Sequence, residues 1–184
     1  LSKTGNREDN GRAGVGGAYR INDRLRLGGE VSHGDLGLGG KLGTSYQPSD
    51  RSSLYVNYAL ENERADNGLH ERGGNLIAGA RTRLSDSASV HLERRQQHTD
   101  SVTGLTHATG MTLALTDRWN LGANADINTL INRQTGAEIE RRAGGARLGY
   151  GFDTVQLSSG LEYRLDETEQ LDGTSSDRTT WLFR

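Results

Sequence analysis

His91, Glu93, His98, Asp100 and Ser101 come nearest, by type and spacing, to residues that could do chemistry. A histidine beside a carboxylate can move a proton, and a nearby serine can attack as a nucleophile. In an extended chain His91 and Glu93 fall on one side, so that pair is geometrically allowed. No nucleophile–base–orienter set follows from the spacing, and ordinary polar roles are the better reading. Metal sites at His91 and His98, or in the acidic run Asp166, Glu167, Glu169 and Asp172 before Gly173, lack the ordered ligand spacing of a calcium loop. Gly14-Val15-Gly16-Gly17 lies inside an alternating run rather than ahead of a helix, so it is not a nucleotide fingerprint. No enzyme activity, cofactor or metal is expected.

The elements that would carry these residues are strands. Met111, Leu113 and Leu115 share one face, then Thr116-Asp117-Arg118 turns the chain. Trp119, Leu121, Ala123, Ala125 and Ile127 share the next face, against Asn120, Gly122, Asn124, Asp126 and Asn128. Side chains on a strand alternate between faces, so this is a β-hairpin pattern. The pattern recurs over Ala13 to Ile21, Leu25 to Val31, Leu36 to Tyr46, Leu54 to Leu60, Leu76 to Leu84, Val90 to Leu92, Ala146 to Phe152 and Val155 to Leu165. Thr179 to Arg184 forms a last segment, giving roughly 10–12 strands in one domain over residues 1–184, the polar stretch 1–11 being a loop.

Composition narrows what such a sheet can be. The apolar share is 32%, against roughly 45–50% for ordinary domains. A conventional dry core is therefore hard to build. Disorder is excluded by the clear periodicity and the single proline, Pro48. What remains is a sheet that needs apolar residues on one outer face only. The net charge of −2 points away from nucleic acid. The absence of cysteine removes disulfides and thiolate chemistry. No run approaches the roughly 20 apolar residues of a membrane helix. No signal peptide is read at Leu1, so a mature product or a fragment is expected.

Tight turns carry Asp at 23, 50, 86, 117 and 153, spaced by about 27 to 36 residues, one up-and-down pair each. Between them, 62–74, 96–105, 129–136 and 167–177 read as long polar loops. Tyr19, Tyr46, Tyr55, Trp119, Tyr150 and Phe152 lie near the turn Asp residues, where amphipathic rings would form a girdle at a membrane boundary. The face opposite the apolar one holds Arg26, Glu30, Lys41, Glu61, Arg81, Arg83, Glu93, Asp126, Glu162 and Arg164. Such a set is costly in a dry sandwich. In a hydrated interior it can pair across strands and touch water.

The segments Arg81-Thr82-Arg83-Leu84-Ser85-Asp86-Ser87-Ala88-Ser89-Val90, Thr103-Gly104-Leu105-Thr106-His107-Ala108 and Thr179-Thr180-Trp181-Leu182 carry a resemblance. The chain resembles a gram-negative outer-membrane β-barrel, in particular the C-terminal barrel region of large envelope proteins. The resemblance implies an antiparallel up-and-down transmembrane β-barrel with short turns on one side and long loops on the other. It implies contact with outer-membrane lipid and lipopolysaccharide, and handling by the barrel-insertion machinery. It implies a membrane anchor with a polar lumen and, where that lumen is open, a passive pore for small solutes. Such barrels usually close on a strand ending in an aromatic residue, whereas this chain ends Phe183-Arg184. The odd strand count, about eleven, departs from the even number usual in bacterial barrels. Both departures lead to the expectation of a fragment of a longer barrel. Two alternatives stay open: a surface module binding an extracellular ligand through the long loops, above all 62–74 and 167–177, and a soluble, polar β-sheet protein.

Overall fold

In the computed structural model, which describes residues 11–34, 37–64, 70–152 and 154–184, the chain folds into one antiparallel sheet. Its strands are β1 (Arg12–Arg20), β2 (Leu25–Gly34), β3 (Gly37–Ser49), β4 (Ser52–Arg64), β5 (His70–Arg83), β6 (Ala88–His98), β7 (Val102–Ala114), β8 (Trp119–Asn132), β9 (Glu138–Gly151), β10 (Gln156–Glu169) and β11 (Ser175–Phe183). They lie side by side in chain order, each hydrogen-bonded to its neighbours in sequence. The expected all-β, up-and-down antiparallel architecture is what forms. Among the described residues the sheet is open: β1 pairs with β2 alone, and β11 with β10 alone.

The strands are tilted. Following one hydrogen-bonded row from Arg26 through Ser45, Tyr55, Gly79, Glu93, Ala108, Asp126 and Ala143 leads to Arg164. Arg26 is the second residue of β2, whereas Arg164 is the ninth of β10. The row thus slides by roughly one residue per strand. With a rise of ~3.3 Å and a strand spacing of ~4.8 Å, that is a tilt of roughly 30°, near the range found in barrels.

At the turns that carry Asp, the residue just before it holds the backbone. Asn22 Oδ1 accepts from the amides of Arg24 and Leu25 at 2.9 and 2.8 Å. Thr116 Oγ1 accepts from those of Arg118 and Trp119 at 3.2 and 3.0 Å. Ser49 and Ser85 do the same, each for the amide two residues on. Short polar side chains mimic a backbone turn in this way, leaving the Asp free to face water.

The long loops are corrected. β4 continues to Arg64, and β5 starts at His70. The other connections shrink to 99–101, 133–137 and 170–174, at most one residue longer than the longest turn at the opposite end. The ladder runs on through residues such as Gln96, Gln97, Thr129 and Glu167, which are polar on both faces. Alternation disappears there, but the hydrogen bonds do not. The expected contrast between short turns and long loops therefore shrinks to a residue or so in the described connections. The loop expected over 1–11 and the turn residue Asp153 lie outside the described residues, apart from Gly11. Ser32, His33 and Gly34 belong to β2 rather than to a connection. Pro48 sits within β3, where the register to β4 slips between Tyr46 and Ser49. A bulge is one of the few places where a ladder tolerates a proline.

Among the described residues no hydrophobic side chain is buried. Val15 is 79% exposed, Leu42 65% and Phe183 78%. The sheet has two surfaces and no dry interior.

Candidate functional site

Cross-strand register sorts every side chain onto one of two faces. On one, Leu113, Leu121 and Leu148 lie in a row across β7, β8 and β9. Leu27, Thr44 and Val56 form a similar row across β2, β3 and β4. This is the apolar face. The opposite parity puts Arg26, Glu30, Lys41, Arg81, Arg83, Glu93, Asp126, Glu162 and Arg164 together on the polar face. The backbone of Glu61 shares that parity, while its side chain lies outside the described residues.

Among the described residues, three pairs of opposite charge meet on the polar face. Arg141 Nε donates to Asp166 Oδ1 at 2.5 Å, and the same arginine reaches Oδ2 through Nη2 at 3.4 Å. Arg164 donates to Glu162 at 2.9 Å and Arg95 to Glu93 at 3.0 Å. The Tyr55 hydroxyl donates to the other oxygen of Glu93 at 2.6 Å. Arg147 donates to Ser158 Oγ at 3.0 Å. Reading the sequence missed Arg95, Arg141 and Arg147 on this face. The same odd–even count that placed Glu93 and Glu162 would have found them.

Several side chains of this face lie flat against the wall. Tyr55 is directly opposite Gly79, and His91 opposite Gly110. A Cβ at either glycine would strike the ring across from it. Asn57 covers Gly43, Asn120 covers Gly149 and Asn124 covers Gly145 in the same manner. Each glycine leaves a bare patch of backbone that receives its neighbour's side chain, a familiar use of glycine within strands.

The aromatic girdle is corrected at one position. Tyr19, Tyr46, Trp119 and Tyr150 stand on the apolar face, with Phe152 beside Tyr150 at a ring separation of 4.7 Å. Tyr55 faces the other way, because it is one residue from Leu54 and Val56 and strand parity outweighs its nearness to the turn. Trp119 and Tyr150 meet at 4.6 Å. A pair not anticipated, Tyr163 and Trp181, meets at 4.8 Å farther along the apolar face.

The catalytic constellation does not assemble. His91 and Glu93 share the polar face, but Glu93 is engaged by Tyr55 and Arg95. His98 takes the opposite face, where it bonds Thr103 Oγ1 at 3.1 Å and Arg133 at 3.0 Å. Asp100 accepts from the Arg72 amide. Among the described residues no three His, Asp or Glu side chains are grouped to hold a metal. The acidic run is dispersed as well: Asp166 bonds Arg141 on the polar face, Glu167 points to the other, and Asp172 sits in the 170–174 turn. There Asp172 Oδ1 accepts from Thr174 Oγ1 at 2.6 Å and from the Thr174 amide at 2.9 Å. Both bonds favour the charged form and hold its carboxyl below the ordinary range.

Past the apolar band, the same face turns acidic toward the ends of β9, β10 and β11. Glu140 lies directly opposite Glu167, which lies opposite Asp177, and Glu138 faces Glu169. Arg142 bonds Glu140 at 2.7 Å and approaches Glu167 at 3.8 Å.

No family model and no curated protein matches the sequence. Solved structures do. OmpT (in-vitro folded), an outer membrane protein of Vibrio cholerae, aligns over 94% of this chain and 85% of its own at 10% identity, with a TM-score of 0.52. The KdgM porin aligns over 94% and 90% at 12% identity, with a TM-score of 0.41. The likeness to OmpT is one of fold: the chain adopts the strand arrangement of an outer-membrane β-barrel, with the sheet left open between β1 and β11.

Proposed function

We propose that the chain is an integral β-barrel segment of the gram-negative outer membrane, anchored by its apolar face and enclosing a hydrated lumen with its polar face. Small solutes cross that lumen passively, and the chain is not an enzyme. One observation carries the reading: the side chains divide into a greasy face and a charged face, and none of the described apolar residues is buried. In water such a surface would drive aggregation. In a bilayer it is the surface that meets hydrocarbon. Lipid also requires every backbone donor and acceptor to be paired, which the described ladder does from strand to strand, leaving its two outer edges and the slip between Tyr46 and Ser49.

Those edges bear on closure. With eleven strands alternating in direction, β1 and β11 run the same way. Joining them would make a parallel seam in an otherwise antiparallel sheet. An odd number of further antiparallel strands between them restores the regular ladder, so the complete barrel is larger than this sheet. Lipid and lipopolysaccharide surround it, and the barrel-insertion machinery assembles it.

The test is refolding into detergent, with gel migration compared before and after boiling, followed by planar-bilayer conductance. A folded barrel migrates differently when unboiled and gives discrete conductance steps. A monodisperse monomer in detergent-free buffer would overturn the membrane reading.

A further inference from the structure

The polar face is not uniform. Over β6 to β10 it is crowded with His91, Glu93, Arg141 and Arg147, whereas over β1 to β3 its floor is Gly14, Gly16 and Gly28. Above that floor is a hollow of about 820 Å³ that reaches across to β5. This is the size range of small-molecule sites. Around it stand Arg12, Glu30, Ser32, Lys41, Asn57 and Asn75, with Lys41 directly opposite Glu30 on the neighbouring strand.

Their hydrogen-bonding capacity is only partly used. Arg12 Nε donates to Ser32 Oγ at 2.7 Å, and among the described residues the guanidinium has no carboxylate partner. Ser32 is 4% exposed, so this bond anchors the arginine to a fixed point. The Asn75 side-chain oxygen is buried and accepts no hydrogen bond. A buried acceptor left in that state is costly, and a donor entering the hollow would recover that cost. A carboxylate such as that of Glu30 offers acceptors, Arg12 and Lys41 offer only donors, and Ser32 and Asn57 offer both.

We propose that this hollow is a binding subsite for an uncharged, hydroxyl-rich solute, a deeper reading that rests on the hydrated lumen proposed above. A hydroxyl gives one hydrogen bond and accepts others, so neighbouring hydroxyls can satisfy Asn75 and Glu30 as acceptors and Arg12 as donor together. A carboxylate-bearing solute would meet Glu30, and a cationic one would meet Arg12 and Lys41. The glycine floor supplies the room: a Cβ at Gly28 would meet nothing closer than 3.8 Å, so a larger residue there fits the wall and fills the hollow.

The experiment is calorimetric titration of maltose into the full chain refolded in a sugar-free detergent, with conductance measured on the same preparation. Folding of each variant is checked by gel migration with and without boiling. Saturable binding is expected. Gly28→Leu and Asn75→Leu should each weaken it at least tenfold, while Gly122→Leu, a polar-face glycine outside the hollow, should leave it unchanged. Absence of saturable binding by the folded protein would overturn the subsite, as would undiminished binding by folded Gly28→Leu. If conductance persists without binding, the subsite alone falls. If both are absent, the hydrated-lumen reading falls with it.

Discussion

Replacing Leu148 with arginine separates a membrane face from a merely exposed one. Leu148 is on the apolar face of β9, between Leu121 and Ser159, and is 42% exposed. It precedes the end of β9 at Gly151 by three residues, and the turn adds about two more. At ~3.3 Å per residue and a tilt of roughly 30°, its depth is about 14 Å from the turn end of the sheet. The apolar band of an outer-membrane barrel is ~25 Å tall, so Leu148 lies near its middle. Arginine at that depth costs about 2–4 kcal/mol, a shift of roughly 30- to 1000-fold in the folding equilibrium. In water the same exposed substitution would stay within ~0.5 kcal/mol. Gln97→Arg, on the polar face, serves as the control and should stay within that smaller range. Urea unfolding of the refolded chain in lipid vesicles, followed by tryptophan fluorescence, measures both. Equal stabilities for Leu148→Arg and Gln97→Arg would refute the assignment of the apolar face to lipid.

Other outcomes follow from the same geometry. Neutralising Arg81 and Arg83 to glutamine should reduce anion preference in bilayer recordings, since both lie on the polar face; unchanged reversal potentials would remove them from the conduction path. Gly79→Val would drive a side chain into the Tyr55 ring, costing about 1–3 kcal/mol by overpacking. Its unfolding midpoint should therefore fall, and a smaller loss is expected for the double variant with Tyr55→Ala. Because the Asp172 carboxyl is held below its ordinary range, its contribution to the 170–174 turn is present above the unfolded carboxyl pKa and fades as pH falls through the lowered folded value. Amide exchange at Thr174 should accelerate over that acidic interval in the wild type, and Asp172→Asn should flatten the response.

Much of this architecture could be read from residue order alone. Met111, Leu113 and Leu115 against Leu121, Ala123 and Ala125 fix a hairpin because both strands keep period two up to a turn that Thr116 stabilises. The charged set from Arg26 to Arg164 fell on one face for the same reason. The strand ends were illegible because alternation reports a difference between two environments. Near Gln96, Gln97, Thr129 and Glu167 both faces are polar, so the signal vanishes while backbone pairing continues. Tyr55 was misplaced when nearness to a turn was weighed above parity. The hollow could not be foreseen, since Gly14 is brought close to Ser32 by pairing and Asn75 by its distant place on β5.

The acidic ends of β9, β10 and β11 carry a consequence of their own. Glu140, Glu167 and Asp177 confront one another across successive strands, with Arg142 as a nearby counter-charge. Carboxylates facing each other in this way repel, so that corner should fray before any other part of the ladder. Electrolyte shields such repulsion within about a nanometre at moderate concentration. Most proteins held by ion pairs loosen as salt is added, whereas this rim should knit together.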